Sequence, residues 1–209
     1  AMSLFSMFFF ISLYLQQVLG YDALKAGFAY LPLALTIIVS AGLASVLVTR
    51  LGFKIVLTAG MLFVAAGLAW FSRVSPGGAY ASDVLGPSLL AAVGLGFSFV
   101  PVTIAAVTGI RPDQAGLASG LVNTSQQVGG ALGLAILVAV ANHTTRSALA
   151  SSGGGDPRAA LTDGFQDAFL VGAGMALLGA ILAATLISSR DAREHAAAAR
   201  RGDAEAVAV

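Results

Sequence analysis

Gly116-Leu-Ala-Ser-Gly-Leu-Val-Asn-Thr-Ser-Gln-Gln-Val-Gly-Gly-Ala-Leu-Gly133 carries no charge, yet it holds five consecutive polar residues, Asn123 to Gln127, between glycines. At helical spacing Gly116, Gly120, Asn123, Gln127 and Gly130 share one face. Leu117, Leu121, Val128 and Leu132 take the other. In water such a face would mean little. In a bilayer a small, hydrogen-bonding face marks a helix pressed against other helices or against a wet cavity. Working outward from this stretch, the first question is whether the chain lies in a membrane.

Composition answers it. The 209 residues are 57% hydrophobic and 10% charged, where a soluble domain carries about 25% charged residues. The Lys, Arg, Asp and Glu residues fall between or beyond the apolar segments, as expected when a charge at mid-membrane costs roughly 2.5–3.5 kcal/mol on insertion scales. The chain has no cysteine, which excludes disulfide and thiol chemistry. No basic run is interleaved with aromatics, so a nucleic-acid partner is not expected. The start, Met2-Ser-Leu-Phe-Ser-Met-Phe-Phe-Phe10, lacks the basic region and cleavage site of a signal peptide and reads as a spanning helix.

Six apolar segments follow one another, each near the roughly 20 residues that a 30 Å hydrocarbon core requires. They run over about 2–19, 26–49, 55–72, 84–110, 115–142 and 168–189. None alternates with period two, which argues for helices and against a barrel. The expected fold is an all-α membrane protein, a six-helix half-domain over 1–189, with a charged tail at 190–209. The longest connection is expected between His143 and Asp167, flexible around Ser151 to Gly155, with Thr162 and Asp163 capping a short entry to the last segment. Of the eleven Lys and Arg residues, seven (Arg50, Lys54, Arg111, Arg190, Arg193, Arg200, Arg201) fall on one side and four on the other. The positive-inside rule then places both termini in the cytoplasm.

Lys25-Ala-Gly-Phe-Ala29 opens segment two and Gln114-Ala-Gly-Leu-Ala118 opens segment five, with Asp22 and Asp113 just ahead. Those segments are the equivalent members of two three-helix units. With three spans per unit, the second unit enters the bilayer upside down, giving two inverted three-helix repeats, as in many secondary transporters.

Three blocks carry a family resemblance: Ser12-Leu-Tyr-Leu-Gln-Gln-Val-Leu-Gly-Tyr21 with Ala26-Gly-Phe-Ala-Tyr-Leu-Pro32; Gly94-Leu-Gly-Phe-Ser-Phe-Val-Pro-Val-Thr103; and Ala115 to Gly133. They resemble the C-terminal half of major facilitator superfamily transporters, closest to the fourteen-helix drug:proton antiporters. The resemblance implies multidrug efflux by alternating access from the cell membrane. It implies four kinds of partner: the lipid bilayer, an N-terminal half outside this chain, a small-molecule substrate, and protons handled by that other half. It implies no cofactor. The family's basic loop matches at Arg50, Gly52 and Lys54, whereas Ser45 and Thr49 stand where the family has Gly and Asp. A gating ion pair built on that Asp is therefore not expected here, and positive-inside retention explains Arg50 and Lys54 equally well.

The apolar segments hold no Asp, Glu, Lys or Arg, and His143 and His195 lie at their ends or beyond. Proton coupling needs a titratable group in the pathway, so the coupling carboxylate is expected outside this chain. Candidates for a substrate cavity are Tyr14, Gln16, Gln17, Ser98, Thr103, Asn123, Gln126 and Gln127. For the last three, interhelical hydrogen bonding competes with cavity lining. Close packing is expected at Gly116, Gly120, Gly129, Gly130 and Gly133, and a hinge or static kink at Gly94, Gly96 and Pro101. No nucleophile, phosphate loop, paired carboxylate or metal-ligand spacing points to an enzyme or a metal site. An alternative to a transporter half is a truncated or stand-alone membrane protein without transport activity, self-associating through segment five. The abrupt start, the absent basic flank and the absent coupling acid favour a fragment.

Overall fold

A computed structural model describes residues 1–107, 110–151, 153 and 155–188. Among them every regular element is helical. Helix α1 (Met2–Leu13) runs into a π-helical turn at Tyr14–Val18. Asp22 then caps α2 (Ala23–Ala29) by accepting from the Lys25 backbone N–H at 2.7 Å. After Tyr30, with Pro32 at its start, α3 (Leu31–Leu51) continues the same span. It stops at Gly52, whose φ of +82° lies where only glycine is comfortable. Helix α4 (Phe53–Phe71) returns across the bilayer. A π-helical turn at Tyr80–Leu85 leads into α5 (Gly86–Val107). Two long helices follow, α6 (Ala115–Ser151) and α7 (Pro157–Leu186).

The packing has a hidden two-fold. Helix α5 packs on α3 and α4, α1 packs on α6 and α7, and α4 packs on α7. Exchanging α1 with α5, α3 with α6 and α4 with α7 maps these contacts onto one another. The chain is thus two three-helix units, the second inverted in the membrane, in a half major-facilitator fold. Among the described residues five spans are long and apolar enough to cross a bilayer, and Met2–Val18 is a shorter apolar helix.

Small residues set the distances between helices. At the α4–α5 crossing a Cβ on Gly60 would lie 2.9 Å from the Gly94 carbonyl oxygen, and one on Gly94 would lie 2.6 Å from that of Gly60. Gly67 meets Ala91 about two turns along α4, and Gly96 presses onto Ser40 and Ala41 of α3. On the other flank Gly164 of α7 abuts the Ala141 carbonyl of α6. Lipid supplies no hydrophobic drive between helices, so backbone approach of this kind does the holding. Around it lies the apolar core of Phe10, Leu15, Leu68, Phe71, Leu137 and Phe169, with Phe71 and Phe169 stacked at 4.9 Å.

Two boundaries differ from the sequence expectation. The 143–167 stretch is largely helix: α6 runs on to Ser151 and α7 begins at Pro157, leaving a short turn with Gly153 at φ +62°. The helix-forming run from Ser147 to Ala150 continues α6, while Asp156 caps α7 at the Arg158 N–H with Pro157 at the first helical position. Thr162 is not a cap. It is fully buried inside α7 and donates to the Arg158 carbonyl. At 37 residues α6 is roughly 55 Å long at about 1.5 Å per residue, so the α6–α7 hairpin projects beyond the lipid. The 190–209 tail lies outside the described residues.

Gly94→Leu is expected to destabilise the protein by about 1–3 kcal/mol or more through overpacking, read as a lower thermal transition in detergent. Gly174→Leu, at an exposed position of α7 with no neighbour within 4 Å, is expected to leave that transition in place. Equal melting of the two variants would contradict the close-approach account.

Candidate functional site

A pair of clefts related by the two-fold opens on the surface among the described residues. The first, about 540 Å³, lies between α1 and α3 and is lined by Phe8, Phe9, Ser12, Tyr30, Leu33 and Ile37. Its walls are aromatic: Phe8 and Tyr30 stack at 5.8 Å, and the Tyr30 hydroxyl donates to the Phe8 carbonyl at 2.8 Å. Ser12 supplies its one polar side chain besides Tyr30, and accepts from Gln16 Nε2 at 2.9 Å. The second, about 380 Å³, lies between α5 and α6 beside the start of α1. It is lined by Met2, Val102, Leu121, Ser125, Gln126 and Gly129 among others. An apolar cavity with a few convergent polar groups is the usual form of a small-molecule site.

The expected cavity residues divide. Gln126 lines the second cleft. Asn123 and Gln127 are exposed on α6, and among the described residues no hydrogen bond to the side chains of Asn123, Gln126 or Gln127 is formed. Gln16, Gln17 and Thr103 are also exposed, and Thr103 returns its hydroxyl to the Phe99 carbonyl within α5. Tyr14 and Ser98 line neither cleft. Tyr14 is 1% exposed because its ring is packed in the core and its hydroxyl is turned to the 72–79 loop, donating to the Ser75 carbonyl at 2.7 Å. Ser98 is buried against Gly60 at the α4–α5 crossing and donates to the Gly94 carbonyl of its own helix.

The glycine face also divides. Gly130 lies under the Phe5 ring, and Gly133 meets the Met2 backbone, so both seat α1 on α6. Gly129 sits at ordinary contact distance from Ala1 and Met2. Gly116 and Gly120 face open space within this chain, with nothing inside 4 Å. Gly94 and Gly96 are contact points on α4 and α3, and α5 runs unbroken through them and through the buried Pro101. Arg50, Gly52 and Lys54 form the tight α3–α4 connection at the end of the bundle away from the 72–79 loop.

Two features escaped sequence reasoning. Phe8, Phe9 and Tyr30 have the composition of any lipid-facing stretch, and only the gap between α1 and α3 makes them a cleft. Asp83 falls by sequence between the 55–72 and 84–110 segments, yet it lies in the first turns of the α5 span in a cage of hydroxyls. Its Oδ2 accepts from the Ser75 N–H and Oγ at 2.9 Å each, and its Oδ1 accepts from Ser82 Oγ at 2.7 Å.

The model of the Major Facilitator Superfamily matches residues 1–134 of the chain. The chain belongs to that superfamily. Among its major facilitator relatives, the puromycin resistance protein pur8 of Streptomyces alboniger is 37% identical over 194 residues, 90% of this chain and 38% of the relative. The cephamycin export protein CmcT of Amycolatopsis lactamdurans is 40% identical over 139 residues, 66% of this chain and 28% of the relative. The tetracenomycin C resistance and export protein of Streptomyces glaucescens is 35% identical over 133 residues. The chain thus spans little more than a third of the first relative's length and less of the second's. Family and helices together make it a multi-pass membrane protein of a transporter family whose relatives are drug exporters and resistance proteins.

Gly133→Val is expected to strike the Met2 backbone and loosen the α1–α6 seam, costing about 1–3 kcal/mol. Gly116→Val meets open space and is expected to cost less, about 0.5 kcal/mol or below. Thermal melts of the two purified variants check this, and a larger loss from Gly116→Val would contradict it.

Proposed function

We propose that the chain is the C-terminal lobe of a proton-coupled drug-export carrier of the fourteen-helix type, resident in the cell membrane with both termini cytoplasmic. In this reading α3 and α6 form the seam with an N-terminal lobe, and the two clefts flank a shared central cavity. The lobes rock about that cavity to expose it to each side in turn. The observation that carries the reading is the exposed, unpaired amide face of α6. Amides in a spanning segment need partners, because an unsatisfied polar group in hydrocarbon costs several kcal/mol. Asn123, Gln126 and Gln127 find none among the described residues, so a second lobe, water or solute must supply them. The seam assignment has independent support. In α3 and α6 only 22% of the most apolar stretch is buried, against 44% in α4.

The solute is amphipathic and drug-like. The first cleft presents aromatic faces with two hydroxyls and no charged side chain, and the second presents an amide. The coupling carboxylate belongs to the other lobe, since the acids within the described spans lie near span ends: Asp83 at the outermost turn of its span with its oxygens already engaged, and Asp163 and Asp167 exposed in the first turns of α7, Asp167 accepting from Thr144. A second reading, self-association of this chain through α6, draws on the open space beside Gly116 and Gly120, which suits any closely approaching helix.

In the full-length protein, Gln126→Leu is expected to change resistance about two- to tenfold for those solutes that hydrogen-bond to it, at unchanged protein level. An unaltered solute profile accompanied by altered stability would assign Gln126 to packing and contradict the cavity.

A further inference from the structure

The α1–α3 cleft is lined by two hydroxyls, and the neighbours of each fix what it can offer a solute. A hydroxyl has one proton to give and lone pairs with which to accept. Tyr30 spends its proton on α1, donating to the Phe8 carbonyl at 2.8 Å. It therefore presents the cleft with oxygen lone pairs. Ser12 is set the other way. Its Oγ accepts from Gln16 Nε2 at 2.9 Å, one turn further along the same chain segment, and its own O–H is turned away from that amide. It presents the cleft with a proton. The two hydroxyls stand within interaction range of each other, so one donor and one acceptor converge on a single place in the cleft wall.

The rest of the cleft suits a flat ring. Phe8 and Tyr30 are stacked on one another. Phe9 is exposed, but its ring meets the buried Phe10 edge-on at 5.4 Å, which fixes its angle. Aromatic faces and edges held in this way favour a further ring packed offset or edge-on against them. Leu33 and Ile37 supply apolar surface opposite, and no charged side chain is among the lining residues. An ionised solute group would find no counter-charge here.

We infer that the α1–α3 cleft binds hydroxylated aromatic solutes, the solute hydroxyl accepting the Ser12 proton and donating its own to the Tyr30 oxygen. The hydroxyl completes a chain that runs in one sense, from Gln16 to Ser12 to solute to Tyr30 to the Phe8 carbonyl. Each hydroxyl in it gives one bond and takes one. A methyl ether takes the Ser12 proton but turns carbon toward the Tyr30 lone pairs. A carboxylate also takes that proton but repels them. This inference rests on the cavity reading above and narrows it to a class of solute.

Three probes of nearly one shape, 2-naphthol, 2-methoxynaphthalene and naphthalene, separate the two bonds. Their binding to the purified full-length protein in nanodiscs is measured against empty nanodiscs, in the unmodified protein and in Tyr30→Phe, Ser12→Ala and Ala34→Trp. The last of these fills the cleft from α3. Tyr30→Phe is expected to weaken 2-naphthol about two- to tenfold, the effect of losing one hydrogen bond, and to leave 2-methoxynaphthalene unchanged. Ser12→Ala is expected to weaken both by a similar factor and to leave naphthalene unchanged. Ala34→Trp is expected to weaken all three. If Ala34→Trp weakens none, the cleft takes no solute, and the cavity reading fails here together with the inference. If it weakens all three while Tyr30→Phe shifts 2-naphthol and its ether alike, or shifts neither, the cavity stands and the hydroxyl assignment is overturned. Should Tyr30→Phe not fold, Ser12→Ala decides alone: an equal change in all three probes, or none in any, overturns the inference.

Discussion

Close backbone contact at the α4–α5 crossing is the constraint on which the rest of this lobe depends. Hydrocarbon neither hydrogen-bonds a free amide nor drives one apolar helix onto another, so each span must satisfy its own backbone and then find neighbours by fit. Gly60 against Gly94 and Gly67 against Ala91 provide that fit, and Gly96 on Ser40 adds α3 to the same cluster. With α4 and α5 fixed in this way, α7 completes a three-helix centre against α4, and Phe71 stacked on Phe169 fills the angle between them. Helices α3 and α6 are left on the flanks, each covered on one side. Their open faces are a consequence of the central packing.

The placement of charge made most of this architecture legible in the sequence. The lipid excludes ions so strongly that the runs between Asp22, Arg50, Lys54, Arg73 and Arg111 mark where the chain enters and leaves the membrane. Charge placement says nothing about helix that continues into water. For that reason the α6–α7 hairpin read as a loop, although its alanines and the Asp156-Pro157 pair carry ordinary helix signals. The polar run from Asn123 to Gln127 was conspicuous, and its three amide side chains form no hydrogen bond among the described residues. The glycines beside it could not be told apart by spacing. Gly130 and Gly133 seat α1, while Gly116 and Gly120 meet nothing within 4 Å among the described residues. Tyr14 looked like a cavity residue from its polarity. Its hydroxyl donates to a loop carbonyl sixty-one positions away, a pairing that local reading does not reach.

The two clefts give the lobe a chemistry that no single helix displays. One is walled by aromatic rings and the other carries an amide, and the pseudo-two-fold places each between the first and second spans of its unit. Neither contains a charged side chain. Under the proposed function such a surface would take amphipathic, weakly charged solutes, held by shape and a few hydrogen bonds. That agrees with membership of a superfamily in which the matched relatives bear the names of antibiotic exporters and resistance proteins. The carboxylate cage at Asp83 stands apart from both clefts.

Everything above requires α4 to cross the bilayer, separating the Arg50–Lys54 turn from the 72–79 loop. Single cysteines at Arg50 and at Arg73 in the full-length protein, labelled with a membrane-impermeant maleimide from each face of sealed vesicles, measure this directly. The account predicts that the two positions react from opposite faces. Reaction of both from the same face would contradict it.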